Sequence, residues 1–276
     1  MDTIKQKEFD EFWRAIQTEI HAHPVITNNS YCKWFKKGEF TKPQLIDLFK
    51  QFAVFSKWFL LVQMMRLLNA ADLEAETHAR YILANELGVK ICPDGSTEGQ
   101  PFKTSRAHIN WLRDTVKPTG LSSVELGSWE SAAPATRAFI QGLEDTYGSK
   151  DGGIGRGASY AIETWAAWGL GNDKEAESNN FWKELITGIE KYNRNNRDSG
   201  EAPIPLGFFL FHFNSEKSHG DNVLEELKES FLKPDFDKDK FIRAGQQALE
   251  AIHTFWLGLD QSRRELEKQP ALARKR

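Results

Sequence analysis

The segment FFLFHFNSEKSHGDN places His212, Glu216 and His219 at positions i, i+4 and i+7. At about 3.6 residues per turn, these three fall on one face of a helix. Imidazole and carboxylate together suit iron, manganese or zinc. Phe208, Phe209, Phe211 and Phe213 flank them, so the helix is expected to be largely buried. Polar groups among phenylalanines need partners, and a metal cation is one such partner. The same spacing also fits a polar helix face whose histidines carry no ion. A two-ion centre needs further carboxylates and imidazoles from facing helices. Glu86 closes YILANELG, His108 lies in SRAHINWL, and Glu163 lies in GASYAIETWAAW. A carboxylate in that last, apolar setting is costly unless it is paired or bound to metal. Taken singly, Glu86 reads as a helix-end glutamate and His108 as a satisfied polar residue. His78 is a spare ligand on the Glu86 helix, and a solvated position after Glu74 and Glu76 explains it as well.

The elements that must hold these residues read as helices. Phe9, Phe12, Trp13, Ile16 and Ile20 recur at three- and four-residue steps. They form the stripe of an amphipathic helix over 5–20, stopped by His23-Pro24. Residues 25–38 read as a short helix or turn ending at Gly38. Thr41 and Gln44 match a capping box, with Pro43 in the first turn. They predict a long helix over 42–68, whose middle, FKQFAVFSKWFLLVQMM, is apolar nearly all round and therefore central. Further helices are expected over 71–87, from Thr104 or Ser105 to Asp114, and over 131–147, 158–170, 175–192, 207–231 and 241–267. VKICPDGSTEGQPFKTS and NRNNRDSGEAPIPLG read as loops, and residues 268–276 as a frayed tail. GSKDGGIGRG reads as a flexible connection. It follows no strand and lacks the Lys-Ser/Thr of a phosphate loop. No period-two strand pattern and no repeat appears. The reading is one all-α domain, residues 1–276, of eight or more helices.

Composition narrows the function. Lys and Arg number 36 against 39 Asp and Glu, for a formal charge of −3, so no basic excess exists to neutralise a phosphate backbone. Nucleic acid is not an expected partner. Cys32 and Cys92 are far apart and form no zinc-type pair. The N-terminal MDTIKQKEFDEFW is charged and has no apolar core of a signal peptide. No apolar run approaches the roughly 20 residues that span a bilayer. A cytoplasmic protein with no membrane partner is expected.

Taken in order, Glu86, His108, Glu163, His212, Glu216 and His219 resemble the ligand set of the haem-oxygenase-like di-iron oxidases and oxygenases. These CADD-like, iron-containing redox enzymes show a Glu, a downstream His, a Glu on a later helix, then His-x3-Asp-x2-His. They share a helical fold with haem oxygenase, TenA-type proteins and pyrroloquinoline-quinone synthase. NNSYCKWFKKGEFTKPQLIDLFKQF resembles the family's opening, so the resemblance covers most of the chain. Two departures stand out. Glu216 replaces the family's Asp, and its extra methylene shifts the carboxylate's reach toward the second iron. Glu86 and His108 lie 22 residues apart, further than is usual in the family.

The resemblance implies two Fe2+ ions, O2 as co-substrate and room for an external electron donor. It implies hydroxylation, N-oxygenation, desaturation or C–C cleavage of a small amino-acid-like or fatty-acid substrate. Phe55, Phe59 and Trp165 are candidates for the pocket lining, although a core role fits them too, and a homodimer is compatible. One branch of the family makes p-aminobenzoate by consuming a tyrosine of its own. Tyr31, in SYCKWF, stands at the matching position, and Lys174 lies roughly where that branch uses a lysine. Tyr31 also reads as an aromatic packing anchor. Two rivals are a TenA-like metal-free hydrolase, for which Cys32 and Cys92 lie in poor contexts, and a non-catalytic interaction protein. His21 or His23 could pose as an axial haem ligand, but the ligand-like set on later helices argues against haem. His253 reads as a core or edge histidine.

Overall fold

The computed structural model describes residues 3–70, 72–92, 95–123, 125–170 and 174–268, apart from the side chains of residues 3, 174–175 and 217–226. The tail expected to fray lies outside the described residues from 269 onward. Helix α1, Thr3–Ile16, buries Phe9, Phe12 and Ile16. It runs into a single π turn, Gln17–His21, which buries Ile20, so the expected stripe is continuous across two helix types. The stretch read as a short helix or turn contains two short helices. These are α2, Pro24–Thr27, and α3, Ser30–Phe35, capped by the side chains of His23 and Asn29.

The long helix α4, Lys42–Leu68, starts at the expected capping box. The Thr41 backbone N–H donates to Gln44 Oε1 at 2.7 Å. Leu45, Leu48, Phe49, Phe52, Ala53, Val54 and Val62 are all buried, which places α4 in the middle of the bundle. Helix α5, Leu73–Glu86, is started by Asp72, whose carboxylate accepts from the Ala75 N–H at 2.9 Å. The helices that follow are α6, His108–Val116, α7, Pro134–Asp145, α8, Gly152–Ala167, α9, Lys174–Glu177, α10, Phe181–Asn195, α11, Gly207–Phe231, and α12, Lys238–Lys268.

Two expected boundaries are corrected. The glycine-rich GGIGRG is not a flexible connection but the opening turns of α8. The Asp151 carboxylate accepts from the N–H groups of Gly153 at 2.9 Å and Ile154 at 3.3 Å, which caps the helix. Gly157 then lets α8 approach α12 closely, since a Cβ there would lie 2.2 Å from the Phe241 carbonyl oxygen. The helix expected over 175–192 starts instead at Phe181. Asn180 caps it, accepting from the Trp182 N–H at 2.9 Å and donating to the Trp168 carbonyl at 2.8 Å.

Helix α12 packs along α8 and α7, α4 lies against α5 and α7, and α11 lies against α8, α10 and α6. Among the described residues the one β feature is an isolated antiparallel bridge, Val89–Phe102. No helix of the described residues is long and apolar enough to cross a membrane. The fold is thus an all-α, single-domain bundle.

Candidate metal centre

Glu86 is the last residue of α5 and His108 the first of α6, yet Glu86 Oε2 lies 2.9 Å from His108 Nδ1. The 22-residue separation is closed by a pinch at the base of the loop. Gly88 adopts φ +107°, and a Cβ there would lie 2.3 Å from the Lys103 carbonyl oxygen. Glycine is needed at such a left-handed position and close approach. The Lys103 N–H donates to the Gly88 carbonyl at 3.3 Å, and the Val89–Phe102 bridge continues the pinch. The loop beyond is therefore a side excursion from a closed neck.

Helix α11 brings His212 to the same place. His212 Nε2 lies 3.3 Å from His108 Nδ1, and His212 Nδ1 lies 2.8 Å from the Phe208 carbonyl oxygen. A carbonyl oxygen only accepts, so the ring proton sits on Nδ1 and Nε2 presents its lone pair inward. Trp182 stacks on the ring at 4.7 Å between centroids and 19° between planes. Burial above all, then the neighbouring His108, lowers the His212 pKa to about 3, so the ring is neutral at ordinary pH. His108 differs. Burial works against its charge, but the charge and hydrogen bond of Glu86 and the charge of Glu216 outweigh it and raise its pKa.

These observations test whether the residues suit a cation. His108 Nδ1 stands between two acceptors, the Glu86 carboxylate and the His212 lone pair. A hydrogen on Nδ1 can serve only one of them at a time, whereas a cation can take either neighbour together with His108. The three donor atoms do not all lie within 4.8 Å of one another, so one ion does not reach all three in this arrangement. Metal-bound histidines typically donate their second nitrogen's proton to a carbonyl or carboxylate, as His212 does to Phe208. Two nitrogens each about 2 Å from one ion sit roughly 3 Å apart, close to the 3.3 Å found here. The donor set therefore suits a divalent cation such as iron in type, tautomer and charge. It forms a row with His108 in the middle.

The remaining expected ligands have different standings. Glu216 is close enough for its charge to act on His108. Glu163, on α8, borders a cavity of about 110 Å3 with Arg66, Tyr147 and Arg156. The charges of Glu163 and Glu86 both bear on Tyr147, whose pKa is raised to about 12, chiefly by burial. His78 is exposed and borders the same cavity. The side chain of His219 lies outside the described residues, as does that of Lys174. A second cavity, of about 560 Å3, borders His108 together with Trp111, Phe211 and Arg106.

The expected pocket aromatics are packed in the core. Phe55 meets Phe52, Phe59, Phe139 and Phe255, Phe59 also meets Tyr147, and Trp165 stacks on Phe181 at 4.5 Å and 4°. None of the three borders either cavity. Tyr31 is 2 % exposed and packs on Trp34, Phe35 and Trp256, and burial raises its hydroxyl well above the usual range. His21 Nε2 lies 2.8 Å from the Tyr160 hydroxyl oxygen, and burial lowers its pKa to about 4.

Among the described residues, the group whose donor atoms all lie within 4.8 Å of one another is His23, Glu250 and His253. His23 Nδ1 accepts from the Val25 N–H at 3.2 Å. The proton of a neutral ring is then on Nε2, directed at Glu250 at 3.1 Å. That nitrogen is a donor in this arrangement, not a lone pair.

Three further residues were not singled out from the sequence. Trp182 sits in the opening turn of α10 and shields His212. Tyr147 follows α7, and its hydroxyl donates to the buried Gln63 at 3.0 Å. Arg66 interrupts the apolar stretch WFLLVQMMRLL at the end of α4, and a charge there was the signal available.

The chain matches no model of a known protein family and no curated protein. Among solved structures it is similar to a CADD-like protein of unknown function from Nostoc punctiforme PCC 73102. The similarity is 14 % identity over 96 % of this chain and 100 % of that one, with a TM-score of 0.59. At that identity the likeness establishes the haem-oxygenase-like helical fold.

Proposed function

We propose that this chain is a non-haem di-iron oxidase or oxygenase acting on a small amino-acid-like or fatty-acid substrate. The observation that carries the reading is His212. Its Nδ1 proton is held by the Phe208 carbonyl, so a neutral lone pair faces His108, which in turn meets Glu86. Glu86, His108, Glu163, His212, Glu216 and His219 would hold the ions. When bound, a reduced iron pair supplies O2 activation for hydroxylation, N-oxygenation, desaturation or C–C cleavage.

The chain's own residues set the conditions. Phe208, Phe211 and Trp182 surround the His212 ring and keep water from it. The low pKa of His212 keeps its lone pair available at every working pH. Glu86 and Glu216 supply negative charge at His108, which offsets the cost of placing a cation in apolar surroundings. Substrate and O2 reach the ligands through the cavities bordering His108 and Glu163.

The test is anaerobic loading with iron(II) followed by exposure to O2. A transient visible absorption supports the reading. A chain that takes up no iron, with His212→Ala changing stability alone, contradicts it. In the same assay Tyr31→Phe retains the absorption and the product, because Tyr31 serves as packing; loss of product in that variant points to a consumed tyrosine.

A further inference from the structure

The cavity beside Glu163 holds a buried guanidinium without an ion pair. Arg66 is 7 % exposed. Its Nη1 is buried with no hydrogen-bond partner, and no ion pair to it exists among the described residues. Its guanidinium lies 5.8 Å from the centre of the Tyr147 ring, a weak compensation for a buried cation. Gly155 leaves the guanidinium its space, since a Cβ there would lie 2.9 Å from Nη1. Arg156 borders the same cavity, and its Nε is likewise buried without a partner.

None of the other charged lining groups is ion-paired to Arg66. Lys233 is taken by Asp72 and Glu74 at 3.0 and 3.1 Å. The Arg156 Nη2 is taken by Asp235 at 3.1 Å, leaving its Nε–H open. Glu163 and Glu229 border the cavity without an ion pair to Arg66. A guanidinium cannot escape by losing its proton, so its burial is explained by an anion that arrives.

We propose that Arg66, helped by Arg156 Nε, is the anchor for the carboxylate of a small substrate, held next to Glu163. This deepens the di-iron reading, on which the placement beside a ligand rests. One buried guanidinium without an ion pair, on a lining that also carries Glu74, Glu163 and Glu229, matches a monoanion, hence a carboxylate in place of a phosphate dianion. Each open N–H offers a bond to one carboxylate oxygen. A volume of about 110 Å3 is small beside ligand pockets of roughly 300–1,000 Å3, so the cavity receives a head group. Amino acids and fatty acids both present such a group.

The test uses the metal-free full chain, with propionate and inorganic phosphate as probes, read by calorimetric titration and thermal melting. Wild type binds propionate more tightly than phosphate. Arg66→Met weakens propionate binding about tenfold or more, the loss expected for a charged hydrogen-bonded contact. The same variant melts at or above the wild-type temperature without ligand, because it removes an unpaired buried charge. Arg66→Lys and Arg156→Gln fall between. Arg66→Met melting well below wild type, propionate binding unchanged in that variant, or tighter binding of phosphate overturns the proposal. Iron(II) uptake by the same wild-type preparation separates the two readings. Uptake without Arg66-dependent propionate binding overturns the anchor alone; propionate binding without uptake overturns the metal reading alone.

Discussion

Two groups of the same composition, two histidines and a glutamate, sit in this protein and differ in almost everything else. His23, Glu250 and His253 have the tighter spacing, with all donor atoms within 4.8 Å. Glu86, His108 and His212 form a row. In the first group, His23 Nδ1 is occupied by the Val25 N–H and Nε2 is a proton donor. In the second, His212 Nδ1 gives its proton to a carbonyl and Nε2 is left as a lone pair. The side chain of Glu250 is 68 % exposed, whereas that of Glu86 is 16 % exposed. Water can satisfy the outer group; the inner one has one proton for several acceptors. Proton position and burial, more than spacing, separate the two sets.

The contrast is open to tests of decreasing size. His212→Ala removes the inward lone pair, and iron(II) affinity is expected to fall by about 100-fold or more, measured by anaerobic titration. His253→Ala leaves that affinity unchanged. A second test concerns the frame carrying Glu163. Gly157→Ala forces a Cβ into the Phe241 carbonyl and is expected to cost about 3 kcal/mol in denaturant unfolding. If α8 and α12 part without loss of stability, the close contact is not what positions Glu163.

A third test contrasts a buried carboxylate that has no cation with the row that asks for one. Glu184 is 1 % exposed, and its Oε1 has no hydrogen-bond partner. Burial raises its pKa from 4.5 to about 7, against the charges of Lys36 and Lys33. The folded state therefore holds this proton more tightly than the unfolded one. Stability is fully present below pH 4.5 and declines as pH rises toward about 7. Glu184→Gln should be nearly neutral at low pH and stabilising by about 1–3 kcal/mol above the window. A pH-independent difference between the two proteins would remove Glu184 from the comparison. The smallest effect is expected at the outer group. The His253 contact to Glu250 is 3.8 Å long and its glutamate is exposed, so His253→Ala should change stability by no more than about 0.5 kcal/mol.

Much of this was legible in the residues. The stripe of Phe9, Phe12, Ile16 and Ile20 and the Thr41–Gln44 box are local patterns, and local patterns survive folding. The meeting of Glu86, His108 and His212 was expected from order along the chain and from resemblance to a family, while the Gly88 pinch that makes it possible was not. A left-handed glycine at a helix end looks like any C-cap until the segment that approaches it is known. GGIGRG misled for a related reason. Glycine disfavours a helix locally, but Asp151 caps this one and the approach of α12 demands small residues. Arg66 shows the other limit. A charge in an apolar helix is visible in sequence, but its lack of a counterion exists only in three dimensions. Phe55, Phe59 and Trp165 are apolar and aromatic whether they pack a core or line a pocket, so their type alone could not choose.

The central claim is that the inner row, and not the outer group, holds metal. Iron content per chain after anaerobic loading and removal of free iron tests it most directly, on wild type, His212→Ala and His253→Ala side by side. The account predicts about two irons in wild type and His253→Ala, as in carboxylate-bridged bundle sites, and close to none in His212→Ala. Iron retained in full by His212→Ala, or lost with His253→Ala, would contradict it.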